Sequence, residues 1–120
     1  MVIFHKQLDV YRVSLEFVSQ AGNFVKHIPK GQAFLGDQLQ RAATSIVFNL
    51  SEGAGEFSKR KKIRFYRMAL RSAAECAAII DVLLQFKIVT GPDHRVAESY
   101  LDRIMGMLTK LIHRHASTLD

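Results

Sequence analysis

The chain has 120 residues, 48% of them hydrophobic, which suits a single domain over residues 1–120 with one buried core. Its only cysteine, Cys76, excludes an intramolecular disulfide, and polar residues such as His5 and Lys6 are unlike a secretory signal, so we expect a reducing, cytoplasmic location. The formal net charge of +6 favours anionic partners. The longest apolar uncharged run, residues 42–51, is about half the roughly 20 residues that span a bilayer, so no membrane partner is predicted.

Turn-forming residues divide the chain into four segments that we predict to be helices. The turns fall at residues 27–33, 53–58 and 89–93, and helix-forming residues dominate between them. The predicted helices span residues 8–26, 35–52, 59–87 and 93–115. The sequence therefore predicts an all-α domain of four helices.

The first predicted helix carries two apolar stripes at helical spacing. One stripe, which we expect to face the core, consists of Leu8, Tyr11, Leu15, Val18, Gly22 and Val25. The other consists of Val10, Val13, Phe17, Ala21, Phe24 and Ile28. Since one apolar face suffices for packing in a bundle, the additional stripe predicts a contact with a further subunit.

The second predicted helix places polar residues along one strip and ends at a glycine. The strip consists of Arg41, Ser45, Asn49 and Glu52, and we expect it to meet Ser72 and Glu75 of the third helix. We predict that Glu75 lies partly inside and that this polar cluster fixes helix register. The alternative is acid and base catalysis by Glu52 and Glu75, but neither belongs to the Glu-x-x-His motif of bundle metal sites. At the following turn, Gly53 is predicted at the helix C′ position and Ser58 as the next N-cap.

The third predicted helix also has two apolar sides. One comprises Ile63, Tyr66, Leu70, Ala73, Ala77 and Leu84, and the other comprises Phe65, Met68, Cys76, Ile79, Leu83 and Phe86. Such a wide apolar surface predicts a homo-oligomer. The alternative is a central helix that touches several neighbours within one subunit.

A basic stretch opens the third helix. Residues 57–74 contain no acidic residue and seven basic ones, which are Lys59, Arg60, Lys61, Lys62, Arg64, Arg67 and Arg71. Four of these follow the i, i+4, i+7, i+11 spacing of one helix face, and we call Arg60, Arg64, Arg67 and Arg71 the arginine strip. Cations oppose the dipole at a helix start, so a phosphate-bearing partner, RNA or DNA, or a protein that handles nucleic acid, is predicted here. The alternative is a solvated face, or pairing with acids such as Asp37, Glu52 or Glu56.

The remaining candidate ligands are scattered along the chain. Three histidines are isolated in sequence, namely His5, His27 and His94. His113 and His115 lie two apart on a helix, point in nearly opposite directions, and are predicted to be solvated residues of the C-terminal turn. Cys76 lies among alanines and is predicted to be a small core residue. We therefore predict no metal site, no cofactor and no catalytic residue.

Several runs resemble a known family. They are residues 38–46 (QLQRAATSI), 49–55 (NLSEGAG), 65–69 (FYRMA) and 72–75 (SAAE), together with residues 8–11 (LDVY) near the start. Together they resemble the four-helix-bundle proteins encoded in intervening sequences of bacterial 23S ribosomal RNA genes. The sequence departs from the family's usual residues at Glu56, Arg71 and Ala73.

The resemblance implies an antiparallel up-down-up-down four-helix bundle, assembly into a homopentameric ring and no known catalytic activity. The chain is also similar, more distantly, to the accessory protein that partners reverse transcriptase in diversity-generating retroelements. We therefore predict a non-catalytic homo-oligomeric scaffold whose basic stretch binds nucleic acid or a nucleic-acid-handling protein. The alternatives are a purely structural assembly protein and an enzyme that uses Glu52 and Glu75.

Overall fold

Four long helices make up most of the protein, and their positions follow the predicted turns. The computed structural model describes residues 4–119. The helices are α1 (Asp9–Val25), α2 (Ala33–Gly55), α3 (Lys59–Gln85) and α4 (Gly91–Ala116), and short 3₁₀ turns precede α1 at Phe4–Gln7 and α2 at Lys30–Gln32. None of the described residues forms a β-strand. The predicted all-α fold is confirmed, although α2 continues past Glu52 to Gly55.

Side chains cap the starts of α3 and α4. The Ser58 hydroxyl accepts a hydrogen bond of 3.3 Å from the Lys61 backbone N–H, which confirms the predicted N-cap. The Thr90 hydroxyl accepts one of 3.1 Å from the Asp93 backbone N–H, and Pro92 occupies the first turn of α4, where no backbone donor is needed. These two caps fix the first residues of α3 and α4.

Gly53 is required for close packing and does not terminate a helix. The prediction that it occupies the C′ position is wrong, because Gly53 lies inside α2 and no described glycine has a positive φ. A Cβ at this position would lie 2.6 Å from Cε1 of Tyr66, a ring that is 2% exposed. The absence of a side chain therefore lets α2 and α3 approach each other at this level.

The four helices pack in a closed circle, and successive helices run antiparallel. Each helix contacts the one before and the one after it, and α4 returns to contact α1. The Tyr66 ring lies beside His115, and the opposite ends of the same helices meet where Asp81 bonds to His94. Residues early in α3 thus face residues late in α4. Gly53 near the end of α2 packs against Tyr66 early in α3, and Ser51 of α2 lies 3.4 Å from His5, just before α1. These contacts agree with the up-down-up-down arrangement that the resemblance implied.

The core contains the second of the two stripes of α1. Its buried members are Val10, Val13, Phe17, Ala21 and Phe24. The prediction that the other stripe faces the core is wrong, since Leu15 remains 44% exposed and Leu8, Tyr11, Val18 and Val25 are only partly buried. Both stripes have the same period, so periodicity alone cannot tell which one faces α2 and α4.

The two apolar sides of α3 largely converge on the same core. Tyr66 and Ala73 from one side are buried, and so are Cys76, Ile79 and Leu83 from the other. This happens because α3 packs against both α2 and α4. The exposed residues of this surface are at its edges and on neighbouring α2, namely Phe34, Phe48, Met68, Val82 and Phe86. Contacts within one subunit therefore account for most of the apolar width of α3.

No helix among residues 4–119 is both long and apolar enough to cross a membrane.

Candidate nucleic-acid interface

The arginine strip runs along the exposed side of the first half of α3. All four of its residues are exposed, as is Lys61 in the first turn. None of these five side chains forms a hydrogen bond or a salt bridge with another residue of the described chain. Pairing with Asp37, Glu52 or Glu56, one of the two predicted alternatives, is therefore not observed, whereas the other, a solvated face, agrees with this exposure. Five cationic side chains remain available to a ligand.

Lys59 and Lys62 have structural partners and differ from the other five cations. The Lys59 ammonium donates to the Thr118 hydroxyl at 2.7 Å and joins the start of α3 to the end of the described chain. The Lys62 ammonium donates to the carbonyl oxygens of Gly53 and Ala54 at 3.2 and 3.0 Å. These carbonyls belong to the last turn of α2, the negative end of its dipole. The predicted basic stretch therefore contains two lysines that tether α3 to other parts of the chain and five exposed cations without such partners.

The environment of Lys62 shows that it is only partly solvated. Burial lowers the pKa of its ammonium, and the nearby Glu56 carboxylate opposes this effect. Its two carbonyl contacts replace part of the water that is lost. Lys62 thus stabilises the α2–α3 corner from which the arginine strip starts.

The last turn of α4 brings the Arg114 charge and the His115 ring to the same end of the bundle. His115 lies beside Tyr66, with ring centroids 5.9 Å apart. Burial lowers the pKa of His115, and the charges of Arg114, Lys62 and Lys59 lower it further. The prediction that His115 is a solvated residue is wrong, since it is partly buried, whereas His113 is exposed as predicted. Sequence alone did not connect Arg114 with the basic stretch, because the two lie on different helices and are distant along the chain.

The stability of the protein should fall in acid because of His115. Its pKa lies below 6.5 in the folded chain, so the unfolded chain binds the extra proton as the pH falls through about 6.5. Stability therefore decreases below that pH and is unaffected above it. We expect wild type to lose more stability than His115→Gln between about pH 7.5 and pH 5 in urea titrations. Parallel losses in the two proteins would contradict a role for His115, because every other residue is the same in both.

Part of the predicted polar cluster forms between α2 and α3. The Asn49 amide donates to the Ser45 hydroxyl at 3.0 Å and to the Ser45 carbonyl at 2.9 Å. The Ser72 hydroxyl lies 3.0 Å from the Ser45 hydroxyl, within hydrogen-bonding distance. All three residues are partly buried. This set of neutral groups links the two helices at mid-height.

The charged members of the predicted cluster do not join it. Arg41, Glu52 and Glu75 are exposed in the subunit, so the prediction that Glu75 lies partly inside is wrong. Arg41 and Glu75 line one groove between α2 and α3, but no salt bridge forms between them. Glu75 is exposed because Ala73 and Cys76 lie in the core, so the helix positions between them face solvent.

Glu52 and Glu75 are also too far apart to act together. Gly53, the neighbour of Glu52, packs against Phe65 and Tyr66. Glu75 follows Phe65 by ten residues, which is about 15 Å along a helix axis. Acid and base groups must both reach one substrate, so this pair does not form a catalytic site within one subunit.

One cluster of possible metal ligands was missed by sequence reasoning, which treated His94 as isolated. Nε2 of His94 lies 2.7 Å from a carboxylate oxygen of Asp81, and Nδ1 lies 3.8 Å from one of Glu98. One ligand atom from each residue lies within 4.8 Å of the others. The i, i+4 spacing of His94 and Glu98 was a visible signal, whereas Asp81 comes from α3. In the observed geometry, this histidine links α3 to α4.

The fold and these charges define the class of protein, a small antiparallel four-helix bundle with a cationic third helix. The family described as 23S rRNA-intervening sequence protein matches residues 6–110, and the chain belongs to that family.

A protein with unknown function from the S23 ribosomal protein family of Bacteroides thetaiotaomicron VPI-5482, known from a crystal structure at 1.70 Å resolution, is similar in fold. The TM-score is 0.80 at 24% identity, over 87% of this chain and 95% of that one. No curated protein matches the chain. Neither description names a catalytic activity.

Proposed function

We propose that this protein is a non-catalytic, homo-oligomeric scaffold that binds the phosphate backbone of RNA or DNA through α3. The main support is that the four residues of the arginine strip and Lys61 are exposed, and that none of these five side chains pairs with an acid among residues 4–119. Like charges on one helix face repel one another, and phosphates would relieve that repulsion. Arginine in addition binds phosphate through two parallel hydrogen bonds.

The dimensions of the arginine strip suit a nucleic-acid backbone. From Arg60 to Arg71 it extends about 16 Å along the helix axis. A strand of duplex DNA carries one phosphate per roughly 3.4 Å, so the strip spans about five phosphates. The contact would be to the backbone and not to base edges, which gives affinity with little sequence preference.

Self-association is the second part of the proposal. Exposed apolar side chains on the α2 and α3 surface support it, and they are Phe34, Phe48, Met68, Val82 and Phe86. A ring, five-membered as the resemblance implies, would present several arginine strips at once. Weak backbone contacts would then combine into a stronger one. A protein partner that handles nucleic acid, or a purely structural assembly, are the alternatives if no nucleic acid binds.

The test is a salt titration of RNA and DNA binding. Neutralising four or five phosphates should give a slope of log affinity against log salt of roughly −3 to −4.5 for each arginine strip that is engaged. The triple variant Arg60→Glu, Lys61→Glu, Arg64→Glu should lose binding at low salt. Light scattering should give the same mass for both proteins, several times 13.6 kDa. Fluorescence anisotropy with labelled oligonucleotides measures the affinity.

A matched control reverses three exposed cations at the opposite end of the bundle, with Lys26→Glu, Lys30→Glu and Arg95→Glu. It changes the net charge equally but leaves α3 untouched. We expect this control to retain most of the affinity. Equal binding by wild type and the α3 variant, or no binding by wild type at low salt, would overturn the nucleic-acid proposal. A monomeric mass would overturn the scaffold proposal.

A further inference from the structure

Phe57 lies in the connection between α2 and α3 and is unusually exposed. Its relative exposure is 97%, the highest among the exposed large apolar residues of the described chain. An aromatic ring that is left in water has given up the apolar burial that stabilises other phenylalanines. The three residues that follow the Ser58 cap are Lys59, Arg60 and Lys61. The ring therefore stands where the basic stretch begins.

A shallow recess adjoins this ring. It has a volume of about 190 Å³ and is lined by Phe4, Ala54, Gly55, Glu56, Phe57 and Lys62. Phe4 is itself 57% exposed, so two aromatic side chains border the same opening. The Glu56 carboxylate in this recess can accept hydrogen bonds from the N–H groups of a base, while the Lys62 ammonium there is already bonded to backbone carbonyls of α2. The recess thus differs in chemistry from the arginine strip, whose first residue, Arg60, follows Phe57 closely in sequence.

We propose that Phe57 is a stacking platform for an unpaired base, and that the ligand is single-stranded nucleic acid whose phosphates follow the arginine strip. The inference rests on the proposed function. It is supported by the exposed Phe57 ring close to the cations at residues 59–61, because single-strand binding surfaces combine aromatic rings with positive charge. Bases in a duplex already stack on one another and offer no free face to Phe57.

A two-fold contact with a second copy of the chain is a less suitable use of this position. In a two-fold contact through Phe57, the cations at residues 59–61 of one copy would face those of the other. Like charges brought together in this way disfavour the contact. Phosphates would instead compensate the same charges, so charge complementarity favours nucleic acid.

The chain contains no tryptophan, which allows a direct test. Phe57→Trp would introduce a single fluorophore at the proposed platform, and Val96→Trp would place one at the start of α4, at the opposite end of the bundle, where Val96 is 49% exposed. We expect a single-stranded oligonucleotide to quench the first tryptophan and leave the second unchanged. Phe57→Ala should weaken single-strand binding by roughly tenfold, change duplex binding less than twofold, and leave the assembled mass unchanged. Val96→Ala should leave single-strand affinity unchanged. RNA and DNA strands of equal length are compared in both measurements.

The outcomes separate this inference from the proposed function. If wild type binds neither single strands nor duplexes at low salt, both proposals fail. If it binds them and the α3 charge reversals abolish binding, but Phe57→Ala has no effect and the tryptophan is not quenched, only the stacking platform is overturned. A lower assembled mass for Phe57→Ala would also overturn it, since Phe57 would then be a contact between copies.

Discussion

Gly53→Ala is expected to destabilise the protein by about 1–3 kcal/mol through overpacking, even though alanine is the better helix former by about 1 kcal/mol. The added Cβ would lie 2.6 and 2.9 Å from two carbons of the Tyr66 ring and 3.2 Å from Cβ of Phe65. Tyr66 is 2% exposed and sits in the core, so its ring cannot move aside without disturbing neighbours. Separating α2 from α3 would also strain the Lys62 bonds to the end of α2.

Gly55→Ala is the matched control, because Gly55 lies in the same last turns of α2 and has no neighbouring atom within 4 Å of its would-be Cβ. We expect this variant to be neutral or slightly more stable. Urea denaturation measures the difference, with all proteins at the same concentration because assembly affects apparent stability. Equal stabilities for the two variants would show that the contact between Gly53 and Tyr66 is not tight.

Cys76 is expected to be almost inert toward alkylating reagents in the folded protein. The thiol is fully buried, and burial, with a smaller contribution from the Glu75 charge, raises its pKa from 9.0 to about 12. Only the thiolate reacts, so at pH 8 the reactive fraction falls on the order of a thousandfold, before the exclusion of the reagent is considered. Labelling by iodoacetamide, followed by mass spectrometry, should be negligible in buffer and complete in denaturant. Because the chain has one cysteine, the label reports a single site.

The raised pKa of Cys76 also predicts how the free energy of unfolding depends on pH. Above about pH 9 the unfolded chain loses the thiol proton while the folded chain keeps it, so stability falls as the pH rises through this range. Rapid labelling of the native protein near pH 8 would contradict the buried position. Labelling that follows the unfolded fraction across a urea titration would support it.

Local features of the sequence were sufficient for much of the fold and part of the site. The four helices follow from periodicity and turn residues, and the Ser58 cap follows from its position before a helix. The exposure of the arginine strip could also be predicted, since its spacing places the residues on one face and charged side chains are rarely buried unpaired. Each of these depends on neighbours within a few residues.

Contacts between helices were predicted less well. Glu75 was expected to lie partly inside, but the side chains of residues 73 and 76 occupy the core and leave residue 75 outside. Asp81 and His94 were not connected because they are thirteen residues apart and belong to different helices. The partial burial of His115 was not predicted, because it depends on a contact with Tyr66, which is distant along the chain.

The sequence by itself determined that this protein is helical, where its helices begin and end within a few residues, and that one face of its third helix is strongly cationic. Only the tertiary structure decided which stripe of α1 is buried, why Gly53 has no side chain, and which cations are tethers. The physical reason is that periodicity defines the faces of each helix separately. The rotation of each helix about its axis, and its distance from the next, are set by side chains such as Tyr66 that pack between helices.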